Sequence, residues 1–265
     1  METITSAQNP KVKRLLALQE KSRTRREEGL FVVEGRRELG HCIEAGYEID
    51  SVFVCEEIAS DAEALTRGLE EQKDIKVFPV SKDVYEKISY RGSTEGIIAE
   101  VRWKQLSLKD LTLKGNPLVI VLESVEKPGN LGAVLRSADA AGADAVIICD
   151  PLTDLYNPNL IRASIGAVFS VPTVAVSSEE TIEWLRGNGI KILTAQLQDS
   201  SLYYETPMTG STAIIMGTES TGLTDIWREV ADAHIRIPML GKLDSLNVSV
   251  SAAILLFEAV RQRMK

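Results

Sequence analysis

The chain has 265 residues, 44% of them hydrophobic and 26% charged, and carries a formal net charge of −8. That is the composition of an ordinary globular protein with room for two modest domains, and its longest apolar runs are too short to span a bilayer. Residues 1–20 lack the apolar core of a signal peptide, and Cys42, Cys55 and Cys149 lie far apart without C-x-x-C spacing, which excludes a disulfide framework and fits a reducing cytoplasm.

Taken in order, Asn9 and Pro10 open a helix predicted to run to about Glu28, because Asn caps and Pro suits the first helical position. Between Lys11 and Arg37 stand nine basic residues (Lys11, Lys13, Arg14, Lys21, Arg23, Arg25, Arg26, Arg36, Arg37) against four acidic ones. This is either a basic face for nucleic-acid phosphates or an ordinary solvated helix face. A strand is predicted at 30–33, a helix from about Arg36 to Gly46, then strand 50–55, helix 59–70, strand 74–80, helix 82–88 and strand 96–101. Strands alternating with helices imply an α/β unit over residues 1–104. Residues 105–116 read as a linker ending in a Gly-Asn-Pro breaker.

Residues 117–265 repeat the alternation, with strands at 118–122, 144–149, 173–176, 191–195, 213–216 and 234–237, and helices at 131–141, 159–167, 179–187, 224–231 and from about 248 to the end. The expected architecture is a mostly parallel sheet with helices on both faces. Pro128-Gly129-Asn130-Leu131-Gly132 follows a strand and opens a helix, placing it at the carboxyl edge of the sheet where ligands bind. Neither G-x-G-x-x-G nor G-x-x-x-x-G-K-[ST] occurs, so a nicotinamide oxidoreductase rests only on Asp150 as a ribose-binding acid. His41 and His234 are too few for a zinc centre or a His-based triad. Arg136 shares its helix with small and apolar residues, so the guanidinium is predicted to need a partner. That partner is either an ion pair with Glu219, Glu123 or Asp139, or a ligand.

Three strings then combine. Asn130-Leu131-Gly132-Ala133-Val134-Leu135-Arg136-Ser137-Ala138, Gly217-Thr218-Glu219-Ser220-Thr221-Gly222-Leu223, and Ile237-Pro238-Met239-Leu240-Gly241 followed by Ser245-Leu246-Asn247-Val248-Ser249 occur in this order. Together they resemble the three motifs of the SpoU (TrmH-type) RNA methyltransferases of the SPOUT superfamily. The first hundred residues resemble, more weakly, the ribosomal-protein-L30e-like substrate-binding domain that precedes such domains, through Ile4-Thr5-Ser6, Asn9-Pro10, Phe31-Val32-Val33-Glu34-Gly35 and Glu95-Gly96-Ile97-Ile98-Ala99. Thr94-Glu95-Gly96 stands where members often carry Pro-Gln-Gly.

The resemblance implies a SPOUT domain with a deep trefoil knot and transfer of a methyl group from S-adenosylmethionine to a ribose 2′-hydroxyl. Ribosomal RNA is favoured over transfer RNA. The family's essential Arg falls on Arg136. An arginine holds its proton too tightly to be an easy base, so Arg136 is assigned to stabilising the developing alkoxide and positioning phosphate. Asn130 would orient the substrate or Arg136, and Ser245 and Asn247 would lie near the transferred methyl. The proton would leave to water, RNA phosphate or Glu219. Gly217, Ile237, Met239 and Leu246 line the cofactor pocket, with Thr194 and Gln196 bordering it. Arg23, Arg25, Arg26 and Arg36 are the RNA-binding candidates. The last helix and the one after the first motif would form a homodimer; neither metal nor membrane is implied. The rival from another class is a non-catalytic RNA-binding ribosome-assembly factor.

Overall fold

The computed structural model describes residues 2–59, 75–90, 95–218 and 221–264. The chain divides into two compact units, one of residues 1–104 with 156–166 and the other of residues 105–155 with 167–265. The first contains, in chain order, α1 (Pro10–Glu20), α2 (Ser22–Glu28), β1 (Leu30–Glu34), α3 (Arg36–Glu44), β2 (Ile49–Val54), β3 (Lys76–Pro79), α4 (Lys82–Ile88) and β4 (Ile97–Arg102). Its sheet runs β1-β4-β2-β3; β2 and β3 are parallel and the other pairs antiparallel. The helix expected over 59–70 lies outside the described residues.

The single N-terminal helix expected through Glu28 is two helices. Lys21 takes an extended conformation (φ −114°, ψ 112°) and ends α1. The break turns Arg25 inward. It is 2% exposed, and its Nη1 donates to the carbonyls of Leu18 at 2.6 Å and Gln19 at 3.1 Å. Arg25 is therefore withdrawn from the RNA-binding candidates, since its guanidinium satisfies the last carbonyls of α1. Arg14 is likewise engaged: it pairs with Glu100, itself fully buried and accepting from Ser51 Oγ at 2.6 Å.

The second unit contains β5 (Leu118–Glu123), α5 (Pro128–Ala140) and β6 (Ala145–Cys149). After α6 (Pro158–Ser164), which belongs to the first unit, come α7 (Ala167–Ser170), β7 (Thr173–Val176), α8 (Ser178–Gly187), β8 (Lys191–Ala195), β9 (Ser201–Leu202), β10 (Thr212–Met216), α9 (Asp225–Val230), β11 (Ala233–Arg236) and α10 (Val248–Arg263). The sheet order is β7-β6-β5-β10-β8-β11-β9, every neighbouring pair parallel. β5 and β6 are buried at every position, as strands covered on both faces must be, which is why they read as unbroken apolar runs. β9, only two residues long, left no sequence signal.

One face of the sheet packs Val119, Val121, Ala213 and Ile215 against Ile182 and Leu185 of α8 and Trp227 of α9. On the other side α5 and α10 pack together, and α10 also contacts β5 and β10. The helix after β5 and the helix after β10 thus leave in opposite directions from adjacent strands. That divergence opens a crevice at their carboxyl ends.

Replacing Arg25 with Ala removes two hydrogen bonds from a charged donor and leaves a void in the wall of the first unit. The expected loss is about 2–4 kcal/mol, read as a lower urea midpoint for that unit; an unchanged midpoint would return Arg25 to the surface candidates.

Candidate active site

Four strands deliver the site. β5 ends in Glu123, which is 3% exposed and accepts from Thr224 N at 2.9 Å and from the Thr224 hydroxyl. This ties the first motif's strand to the start of α9. β10 ends in Met216 and passes to Gly217, where the chain bends so sharply that an added Cβ would stand 2.3 Å from Gly222 C and O and 2.5 Å from Leu223 N. Only glycine fits so close a backbone approach. Gly222 N donates back to Thr218 O at 3.1 Å, and Gly222 itself takes a positive φ of 70°.

The turn after β10, the end of β8 (Ala195–Gln198) and the chain leaving β11 (Ile237, Met239) enclose a cavity of about 340 Å³. Ser245, Leu246 and Val248 complete it. Volume and lining suit a small, partly apolar ligand. A second cavity of about 250 Å³ lies between the first motif (Ser124–Lys127, Asn130) and Gly217, Thr218 and Val248, which it shares with the first. At the joint, Asn247 Nδ2 donates to Asn130 Oδ1 at 3.1 Å. Asn247 Oδ1 accepts from Ser249 N at 3.0 Å and from the Ser249 hydroxyl at 2.6 Å, capping α10. Asn247 is thus the N-cap of α10. Ser245 donates instead to Asp244 at 3.1 Å.

Of the expected site residues, Gly217, Ile237, Met239, Ser245 and Leu246 line the larger cavity, Asn130 and Gly217 the smaller, and Asn247 bridges to Asn130. Glu219 lies outside the described residues. Thr194 is a correction. It is fully buried, with Oγ1 2.6 Å from His234 Nδ1 of the neighbouring strand, and it lines neither cavity. In the parallel pairing of β8 with β11, Thr194 stands beside His234, which takes up its hydroxyl, whereas Ala195 and Gln196 at the end of the strand line the cavity.

Arg136 is the second correction. α5 buries Leu131, Val134, Leu135 and Ala138, and the opposite face leaves Arg136 exposed. Among the described residues it forms no ion pair: Glu123 is held by Thr224, and Asp139 accepts from Ser170 at 2.7 Å. Neither cavity is lined by it. Sequence reasoning missed Arg228, Thr221 and Ser251 in the larger cavity; nothing in their spacing marks them.

Among the described residues no group of His, Cys, Asp and Glu is placed to hold a metal ion, and no helix is long and apolar enough to cross a membrane. Burial pushes the Cys42 and Cys149 thiols up to about 12, so neither is a nucleophile at neutral pH.

The description "SpoU rRNA Methylase family" matches residues 117–257, more than half of the chain and the whole of this site. The chain belongs to the SpoU methylase family. Residues 9–99, ahead of the SpoU domain, match an MRM3-like substrate binding domain. The 23S rRNA (guanosine(2553)-2′-O)-methyltransferase RlmP of Bacillus subtilis is 30% identical over 97% of this chain and 98% of its own. The 23S rRNA (guanosine-2′-O-)-methyltransferase RlmB of Escherichia coli is 40% identical over 64% of this chain and 72% of its own. Among solved structures, an AdoMet-bound rRNA methyltransferase from Sinorhizobium meliloti superposes with a TM-score of 0.90 at 29% identity, covering 98% of this chain and 97% of that one. An RNA 2′-O ribose methyltransferase covers all of both chains with a TM-score of 0.86 at 39% identity.

The SpoU site has one position where a single methyl group is decisive. Gly217→Ala forces Gly222 and Leu223 away from residue 217, at an expected cost of about 1–3 kcal/mol and with the larger cavity distorted. Thermal unfolding of the variant measures it; an unshifted transition would mean that the turn gives way without strain.

Proposed function

We propose that this SpoU protein is an S-adenosylmethionine-dependent methyltransferase acting on a ribose 2′-hydroxyl of ribosomal RNA. The observation that carries the reading is the pair of cavities that share Gly217, Thr218 and Val248. One suits a nucleoside-sized cofactor, and the other opens onto the Asn130–Asn247 contact. Ribosomal rather than transfer RNA is supported by the near full-length match to a 23S rRNA methyltransferase. When bound, S-adenosylmethionine supplies an electrophilic methyl group. The backbone of 217–218 would hold it, and Asn130 and Asn247 would orient the hydroxyl.

A homodimer completes the site. α10 exposes Val250 and Phe257, each 47%, with half-buried Ile254 between them, an apolar stripe that a single chain leaves uncovered. On α5, Ala133, Arg136 and Ala140 share one face by helical spacing and none is buried. A dimer through these two helices covers the stripe and puts Arg136 at the interface. From there its guanidinium stabilises the alkoxide that develops as the hydroxyl loses its proton. In the first unit, Arg23 and Arg26 on α2 and Arg36 on α3 remain as phosphate contacts; Arg23 is 85% exposed although Glu27 accepts from it at 2.7 Å.

Labelled S-adenosylmethionine incubated with unmodified ribosomal and transfer RNA, followed by nucleoside mass spectrometry, tests the reading. A 2′-O-methylated nucleoside is expected in the ribosomal pool. Arg136→Ala is expected to lower turnover about 100- to 1,000-fold while cofactor affinity holds. A base-methylated product would overturn the ribose mechanism, and cofactor binding without any product would favour a non-catalytic assembly factor. Phe257→Glu is expected to shift the protein from dimer to monomer in sedimentation equilibrium and to abolish turnover; an active monomer would sink the shared-site reading.

A further inference from the structure

The wall of the larger cavity contains two buried polar atoms that have no hydrogen-bond partner among the described residues: Nε of Arg228 and Oε1 of Gln196. Desolvated groups in this condition are costly unless a ligand satisfies them. One is a donor and the other an acceptor. Topology supports their proximity, because α9 carries Arg228 across β8, and Gln196 follows the last residue of β8.

Both residues line the cavity, and the remaining contacts of their side chains leave those two atoms unused. Among the described residues Arg228 pairs with Asp225, whose Oδ1 is 3.8 Å from Nη1 on a residue 87% exposed, which is a weak surface pair. Nη2 passes Gly222, 4.0 Å from the position a Cβ would occupy there. Gln196 uses its amide nitrogen to reach Gln198 O at 2.9 Å, which turns Oε1 the other way. The cavity's other arginine, Arg236, already donates to Ser200 Oγ at 3.4 Å.

Resting on the cofactor assignment above, we infer that Arg228 anchors the α-carboxylate of S-adenosylmethionine, with Gln196 Oε1 accepting from the neighbouring ammonium. The carboxylate is the only anionic group on that molecule. A guanidinium presenting Nε and one Nη is the side chain built to hold a carboxylate through two parallel bonds. Ile237, Met239, Leu246 and Leu255 give the cavity an apolar wall suited to the adenine, which leaves the polar wall for the amino-acid end. Arg228 is a binding and specificity residue in this scheme: it selects the intact methionyl group and takes no part in methyl transfer.

The test is calorimetric titration of the full-length wild type, Arg228→Gln and Arg228→Lys with S-adenosylmethionine and with its decarboxylated analogue. The wild type is expected to prefer the carboxylated ligand. Arg228→Gln should lose about ten- to a hundredfold in affinity for S-adenosylmethionine, the weight of a charge-assisted hydrogen bond. It should bind the decarboxylated analogue almost as the wild type does, and Arg228→Lys should recover part of the loss. Equal weakening toward both ligands, or no weakening, would overturn the assignment and make Arg228 a packing residue. A wild type that binds neither ligand would overturn the cofactor reading itself, and Arg228's role with it.

Discussion

The second unit depends on a backbone approach that tolerates no side chain. Gly222 and Leu223 come within 2.5 Å of where a Cβ on residue 217 would stand. This contact sets the floor shared by both cavities. It is held from the other side by Glu123, a buried carboxylate at the end of β5 whose oxygens are taken up by Thr224. A buried carboxylate is tolerable because it is fully hydrogen-bonded. The same bonds fix where α9 starts, and so where Arg228 lies. One glycine and one acid thus determine the geometry of a wall that many other residues line.

The charge of the chain is distributed in a way its total conceals. The sum of −8 coexists with a basic N-terminal segment, yet part of that segment's positive charge is spent internally. Arg14 neutralises Glu100, and Arg25 closes the end of α1. The exposed positive surface of this segment is smaller than its count of basic residues implies, and it is carried by Lys11 and Lys13 of α1, by α2 and by the start of α3.

Much of the second unit was legible because its strands are buried on both faces and its loops carry motif strings. β7 and β8 fall where the apolar runs place them. The first unit was legible in outline, but the break at Lys21 was not: neither glycine nor proline marks it, and the contacts of Arg25 with Leu18 and Gln19 that accompany it join residues on either side of the break. Arg136 and Thr194 show the complementary failure. Composition placed Arg136 on a helix rich in apolar residues, but which side of that helix faces the sheet is decided by Leu131, Val134 and Leu135 together. The register of β8 against β11, not proximity to the cavity in sequence, sets Thr194 beside His234. Arg228 could not be found from sequence because its significance is an unpaired nitrogen, which only three-dimensional surroundings define.

The link between Asn247 and Asn130 restricts which residues can occupy position 247. An ordinary helix cap accepts Ser, Thr, Asp or Asn with little distinction. Here the capping oxygen is already committed to Ser249, and a separate hydrogen must be given to Asn130. Aspartate caps but, ionised, has no hydrogen to give; serine has one, on a shorter side chain and on the same atom that caps. Only an amide divides the two tasks between two atoms. A position that looks permissive by local propensity is therefore narrow, and the start of the last helix is set by a residue from the opening turn of α5, 117 positions earlier.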